Sequence, residues 1–158
     1  MKIPEMETQT EYDGWKMGQR DGMALALITI LSCRGIPVPP DIHDLIYGCD
    51  DSDQIQRWVG TAATATTIDA VFTPDAKAEL KTFGVWYRND PAYWIRFGRI
   101  EGVALGLFEV LAGRGVVISD RDCERALEAF EIEAVDMWVR RALTARTGKE
   151  FLGLCLDT

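Results

Sequence analysis

Displaced by 80 positions, this chain aligns with itself without a gap. Residues 18–35, GQRDGMALALITILSCRG, fall on residues 98–115, GRIEGVALGLFEVLAGRG. Residues 55–72, IQRWVGTAATATTIDAVF, fall on residues 135–152, VDMWVRRALTARTGKEFL. Between positions 18 and 72, 14 of 55 residues are identical to their partner at this one offset, among them Gly18/Gly98, Gly22/Gly102, Arg34/Arg114, Gly35/Gly115, Trp58/Trp138 and Thr67/Thr147. Self-similarity at a fixed period marks an internal repeat, and it bounds the fold before any single residue is read. Whatever unit one half forms, the other half forms as well.

Each copy reads as helices. A long first helix spans about Tyr12 to Arg34 and about Pro91 to Arg114. Its apolar stripe is Ala24, Leu25, Ile28 and Leu31 in one copy, and Ala104, Leu105, Phe108 and Leu111 in the other, which is helical spacing. Gly35 and Gly115 follow where a left-handed cap is wanted, and Arg34 and Arg114 place a cation at the helix C-terminus. A short extended link leads to a second helix, entered at Pro39 and Pro40 in copy one and capped by Ser119 in copy two. A third helix presents Ile55, Trp58, Val59 and Ala62, matched by Val135, Trp138, Val139 and Ala142. A last turn starts at Thr67 and at Thr147, the latter with Glu150 in a capping-box pattern. The expected fold is therefore all-α: two tandem helical repeats, residues 12–73 and 91–153, packed with pseudo-twofold symmetry. Residues 1–11 and 154–158 are expected to be tails, and 74–90 a linker.

The glycines of the long helices sharpen this expectation. Gly98, Gly102 and Gly106 recur every fourth residue, with Gly18, Gly22 and Ala26 as near-counterparts. Each glycine inside a helix costs about 1 kcal/mol relative to alanine, so a row of them requires a return. A row of small residues lets two helix backbones approach closely. Gly18, Gly22, Gly98, Gly102 and Gly106 are thus expected at a helix crossing or interface, copy against copy or chain against chain. They are not expected at a ligand.

Charge and composition bear on function by exclusion. The chain carries 17 Lys and Arg against 25 Asp and Glu, a net charge of −8. That disfavours direct nucleic-acid binding, which needs cations against phosphates, and it disfavours an anionic membrane surface. No apolar run approaches the ~18 residues of a membrane span, and the N-terminal MKIPEMETQTEYDG has no signal-like apolar stretch. Cys33, Cys49, Cys123 and Cys155 lie far apart and read as small buried hydrophobes in a reducing cytoplasm.

No catalytic, cofactor-binding or metal set emerges. The one histidine, His43, and scattered cysteines assemble no zinc site, and nothing stands ready to activate a nucleophile. The carboxylates of CDDSD (49–53) and EIEAVD (131–136) precede the Trp-bearing helices and suit helix N-termini. GQRDG and GRIEG lie inside helices, so they form no phosphate cradle. Pro74, Asp75, Glu79 and Lys81 formally spell a nuclease signature, P-D…E-x-K, but at a spacing too short to surround a metal from separate strands. The aromatics Trp15, Trp86, Tyr87, Tyr93 and Trp94 cluster near the helix starts and the copy junction, where Trp and Tyr could anchor a partner. With Asp50, Asp51 and Asp53 they form the candidate partner surface, whereas Trp58 and Trp138 read as core anchors.

These residues also carry a resemblance. Gly98-Arg99-Ile100-Glu101-Gly102, then Arg114-Gly115, Trp138, Arg141-Ala142-Leu143, Ala145 and Glu150-Phe151 resemble the helical C-terminal region of bacterial Rpn-type proteins, the recombination-promoting nuclease or transposase-like family. Copy one is a looser version: Gly18-Gln19-Arg20-Asp21-Gly22, Arg34-Gly35, Trp58, Ala62 and Phe72. In that family the region follows a nuclease domain, which this sequence lacks, and serves association or regulation. The resemblance implies a free-standing, non-catalytic interaction module: an adaptor, a regulatory subunit or an inhibitor, with no cofactor. Its partner would be another protein, basic or nucleic-acid-binding, and a homodimer is compatible with either glycine arrangement. The alternative expectation is an acidic phage or mobile-element antagonist that occupies the nucleic-acid groove of a defence or nuclease complex.

Overall fold

The computed structural model describes residues 8–73 and 92–153, and within them it is all-helical, with no strand. The expected linker at 74–90 and tail at 154–158 lie outside the described residues. Eight α-helices are described: α1 Gln9–Cys33, α2 Pro40–Tyr47, α3 Ser52–Ala62, α4 Ile68–Val71, α5 Ala92–Gly113, α6 Asp120–Ala129, α7 Val135–Thr144 and α8 Gly148–Phe151. A 3-10 turn, Ile132–Ala134, leads into α7.

Helix α1 begins three residues before the expected Tyr12. The reason is a complete capping box: Thr8 accepts from the Glu11 amide, and the Glu11 carboxylate accepts from the Thr8 amide at 2.9 Å. Both otherwise unpaired donors are satisfied, so residues 8–11 belong to the helix and its cap rather than to a tail. At the other end, Gly35 adopts φ +71 and Ile36 donates back to the Leu31 carbonyl at 2.9 Å. Gly115 adopts φ +72 and Val116 donates to Leu111 at 2.8 Å. Both are Schellman closures, and only glycine takes that φ without strain.

The arginines before those glycines do something the sequence did not suggest. Arg34 reaches across and donates Nη2 to the Ala65 carbonyl at 2.6 Å, just past α3. Arg114 donates Nη1 to Ala145 at 2.8 Å and to Ala142 at 2.5 Å, at the end of α7. From the ends of the long helices they thus also supply charged donors to carbonyls at and just past the ends of α3 and α7.

Helices α1 and α5 run side by side in the same direction and make the most extensive contact of the fold, and α3 and α7 each pack against both. The core lies between these four. From α1 it takes Leu27, Ile30 and Leu31, and from α5 Val103, Leu107, Val110 and Leu111. Trp58 and Trp138 are buried, Trp58 against Phe72 and Trp138 against Phe130 and Phe151. The buried arc of each long helix is wider than one stripe because a parallel neighbour covers one face while α3 and α7 cover others. One position on the expected stripe falls outside the core as a result: Leu105 is 39% exposed.

Candidate functional site

The glycines nominated from sequence lie where α1 and α5 touch. A Cβ on Gly18 would overlap the Ile95 carbonyl, and one on Gly22 would overlap that of Arg99. From the other side, a Cβ on Gly98 would meet the Trp15 carbonyl and one on Gly102 the Gln19 carbonyl. In each case the obstacle is backbone, which cannot rotate aside. Further along, Gly106 faces Ala26, whose Cβ would stand 3.1 Å from an added one. These residues set the interhelical distance and offer no surface to a ligand.

Polar groups flank the crossing. Trp15 is half-buried and donates its indole Nε1 to Glu101 Oε2 at 2.5 Å, joining α1 to α5. Asp21, 5% exposed, faces Arg99 Nη2 at 3.5 Å. A buried carboxylate needs such a partner, because desolvation without one costs several kcal/mol (about 1–3 for a neutral group and more for a charge). Trp15, one of the nominated partner-surface aromatics, is thereby committed to an intramolecular bond. Trp86 and Tyr87 lie outside the described residues. Tyr93 and Trp94 belong to the first turn of α5, but their side chains too lie outside the described residues.

The nominated acidic cluster has internal duties as well. Asp51 is the N-cap of α3, accepting from the Asp53 amide at 2.9 Å and the Gln54 amide at 3.1 Å. Asp50 accepts from Arg20 Nη1 at 2.7 Å. Asp53 stands exposed in the first turn of α3, where a negative charge suits the helix N-terminus. The second acidic stretch behaves differently: the N-cap of α7 is Ala134, which makes no side-chain cap, and Asp136 lies in the first turn.

His43 is exposed with its ring 4.8 Å from that of Tyr47. Cys49 is fully buried, and Cys33 and Cys123 are half-buried. Burial pushes all three thiols above their ordinary range, and at Cys49 the neighbouring carboxylates of Asp51 and Asp50 push the same way. Raised thiols are poor nucleophiles. Cys155 and the residues of the P-D…E-x-K pattern lie outside the described residues. Among the described residues no group of His, Cys, Asp and Glu could hold a metal ion, and no helix is long and apolar enough to cross a membrane.

What sequence reasoning missed is a groove of about 530 Å³ on the outer face of α5. It is lined by Leu105, Phe108, Glu109 and Ala112 of α5, by Gln56 of α3 and by the link 115–118. Val117 is 87% exposed, the most exposed large apolar residue described. Two of the groove's residues, Leu105 and Phe108, belong to the expected apolar stripe of the helix. A periodic stripe does not say whether anything covers it. Comparison of the chain with protein-family models, with curated proteins and with solved structures returns no match.

Proposed function

We propose that the chain is a non-catalytic protein–protein interaction module, built from two tandem helical repeats packed about a pseudo-twofold axis. Paired local features support the duplication. The Schellman closures at Gly35 and Gly115 have φ of 71 and 72. Thr67 and Thr147 enter their helices at φ −138 and −139. Arg34 and Arg114 bind the carbonyls of Ala65 and Ala145, each 31 residues on. Gly18 and Gly22 on α1 meet the stretch 95–103 of α5, so residues about 80 apart sit beside one another, as an axis along the helix pair requires. The Rpn-like motifs fall on these same positions, and in that family they belong to association rather than to catalysis.

The observation that carries the interaction reading is the open groove whose lining includes the exposed Leu105 and Val117. An exposed apolar surface costs solubility, and a concave one with a few polar groups is the usual form of a binding site. The nominated acidic residues support this reading less than the groove does, since Asp50 and Asp51 already have internal partners. Affinity capture from the native lysate, with Val117→Asp chain as the control, tests the proposal. A partner retained by the wild-type chain and lost with the variant is expected. Identical captures with both chains would contradict the reading.

A further inference from the structure

We infer that the α5 groove docks an apolar segment of a separate protein that carries a basic side chain, with Glu109 as its counter-charge. The inference rests on the interaction-module reading and names the surface and the chemistry of the partner. Three observations carry it. First, the lining is mostly apolar and open, with Leu105 and Val117 exposed and Phe108 half-buried. Second, Glu109 is the sole charged residue of the lining, and it is half-buried. Among the described residues its one hydrogen bond comes from the neutral amide of Gln56, 3.1 Å to Oε2, and no cation pairs with it. Its other oxygen, Oε1, lies over Gly60, which has no side chain to meet it. Third, the residue 80 positions earlier on α1 offers no such acceptor: Thr29 is neutral and buried, and it bonds the Leu25 carbonyl of its own helix at 2.8 Å.

A carboxylate at the edge of an apolar groove keeps unused acceptor capacity in a place where water is partly displaced. A lysine or arginine brought in on an apolar segment would use that capacity, and the pair would be stronger for the lowered local dielectric. A second acidic segment would be repelled. The net charge of −8 adds long-range attraction for such a partner and opposes the docking of another copy of this chain. Glu109 therefore supplies the specificity, and Leu105, Phe108 and Val117 supply the buried area.

The test uses the full isotope-labelled chain and two synthetic amphipathic peptides: one of leucine, alanine and lysine, and a twin with glutamate in place of lysine. The lysine peptide is expected to shift the amides of Gln56 and of residues 105–118, with affinity falling as salt is added. Glu109→Gln should weaken it by roughly ten- to a hundredfold, the worth of a charge-assisted hydrogen bond, and Val117→Asp should weaken it through the apolar wall. The glutamate twin should not bind. Equal binding of both peptides, or no binding of either at millimolar concentration, would overturn the inference. Shifts confined to another surface would overturn it while leaving the interaction-module reading intact. Self-association that Val117→Asp abolishes would show the groove to be filled by a second copy, and that too would overturn it.

Discussion

Replacing Gly102 with alanine should destabilise the protein, although alanine is the better helix former. Two opposing terms set the magnitude. Removing glycine from a helix interior gains about 1 kcal/mol. Against this, the new Cβ would lie 2.7 Å from the carbonyl carbon and 2.9 Å from the Cα of Gln19, and it would overlap the carbonyl oxygen. Ordinary contact begins near 3.4 Å, so the carbonyl carbon alone must retreat by about 0.7 Å and the oxygen by more. The obstacle is the backbone of α1, so the two helices must part, loosening the contacts that Leu27, Ile30, Leu107 and Val110 make between them. Overpacking against flexible neighbours costs about 1–3 kcal/mol, and against backbone the upper end or beyond applies. The net expectation is a loss of about 2–4 kcal/mol, or roughly 5–15 °C in Tm for a chain of this size. Urea denaturation followed by tryptophan fluorescence measures it. Gly113→Ala is the control: nothing lies within 4 Å of its added Cβ, and it should be neutral or stabilising by about 0.5–1 kcal/mol. If Gly102→Ala behaves like Gly113→Ala, the close crossing of α1 and α5 is wrong.

Other outcomes follow from the same contacts. Arg114→Ala should cost about 1.5–3 kcal/mol in urea denaturation, because the carbonyls of Ala142 and Ala145 lose a charged donor; a cost below about 0.5 kcal/mol would show that those carbonyls do not depend on it. Asp51→Ala should cost about 1 kcal/mol through the lost cap of α3, and Asp51→Asn should restore most of it. For Cys49 the sign of the pH effect is fixed by burial. Its thiol is raised in the folded chain, so its contribution to stability is full below the ordinary thiol range and is lost as pH rises through and above it. Stability measured from pH 7 to 10 should therefore fall more steeply for the wild type than for Cys49→Ala, and native Cys49 should resist thiol reagents until the chain unfolds.

Helix positions were legible in the sequence wherever a local signal fixed them. Gly35 and Gly115 announced helix ends because no other residue takes their φ cheaply. Trp58 and Trp138 announced core positions because they sit among apolar residues at helical spacing. The polar run around Thr8 and Glu11 has the composition of a tail, yet these two residues form the capping box that starts α1 three residues before Tyr12. What spacing could not supply was which face a neighbour covers. Leu105 and Leu107 are two residues apart on one apolar helix, yet Leu105 is 39% exposed and Leu107 1%. The difference comes from the parallel course of α5 beside α1, a tertiary fact. For the same reason the position of Arg34 and Arg114 at a helix end does not reveal that their guanidinium groups reach across to Ala65 and to Ala142 and Ala145. The candidate site was the least legible part, because its walls come from three separate segments and its character depends on what is left uncovered.

The central claim is that both halves of the chain form one structure joined along the glycine crossing. Native-state hydrogen exchange tests it most directly. The slowest amides of α1, around Leu27 to Leu31, and of α5, around Leu107 to Leu111, should open with the same free energy, and Gly102→Ala should lower both by the same amount. Protection that falls in α5 while α1 is unchanged would contradict the account, because it would mean that the two halves stand independently.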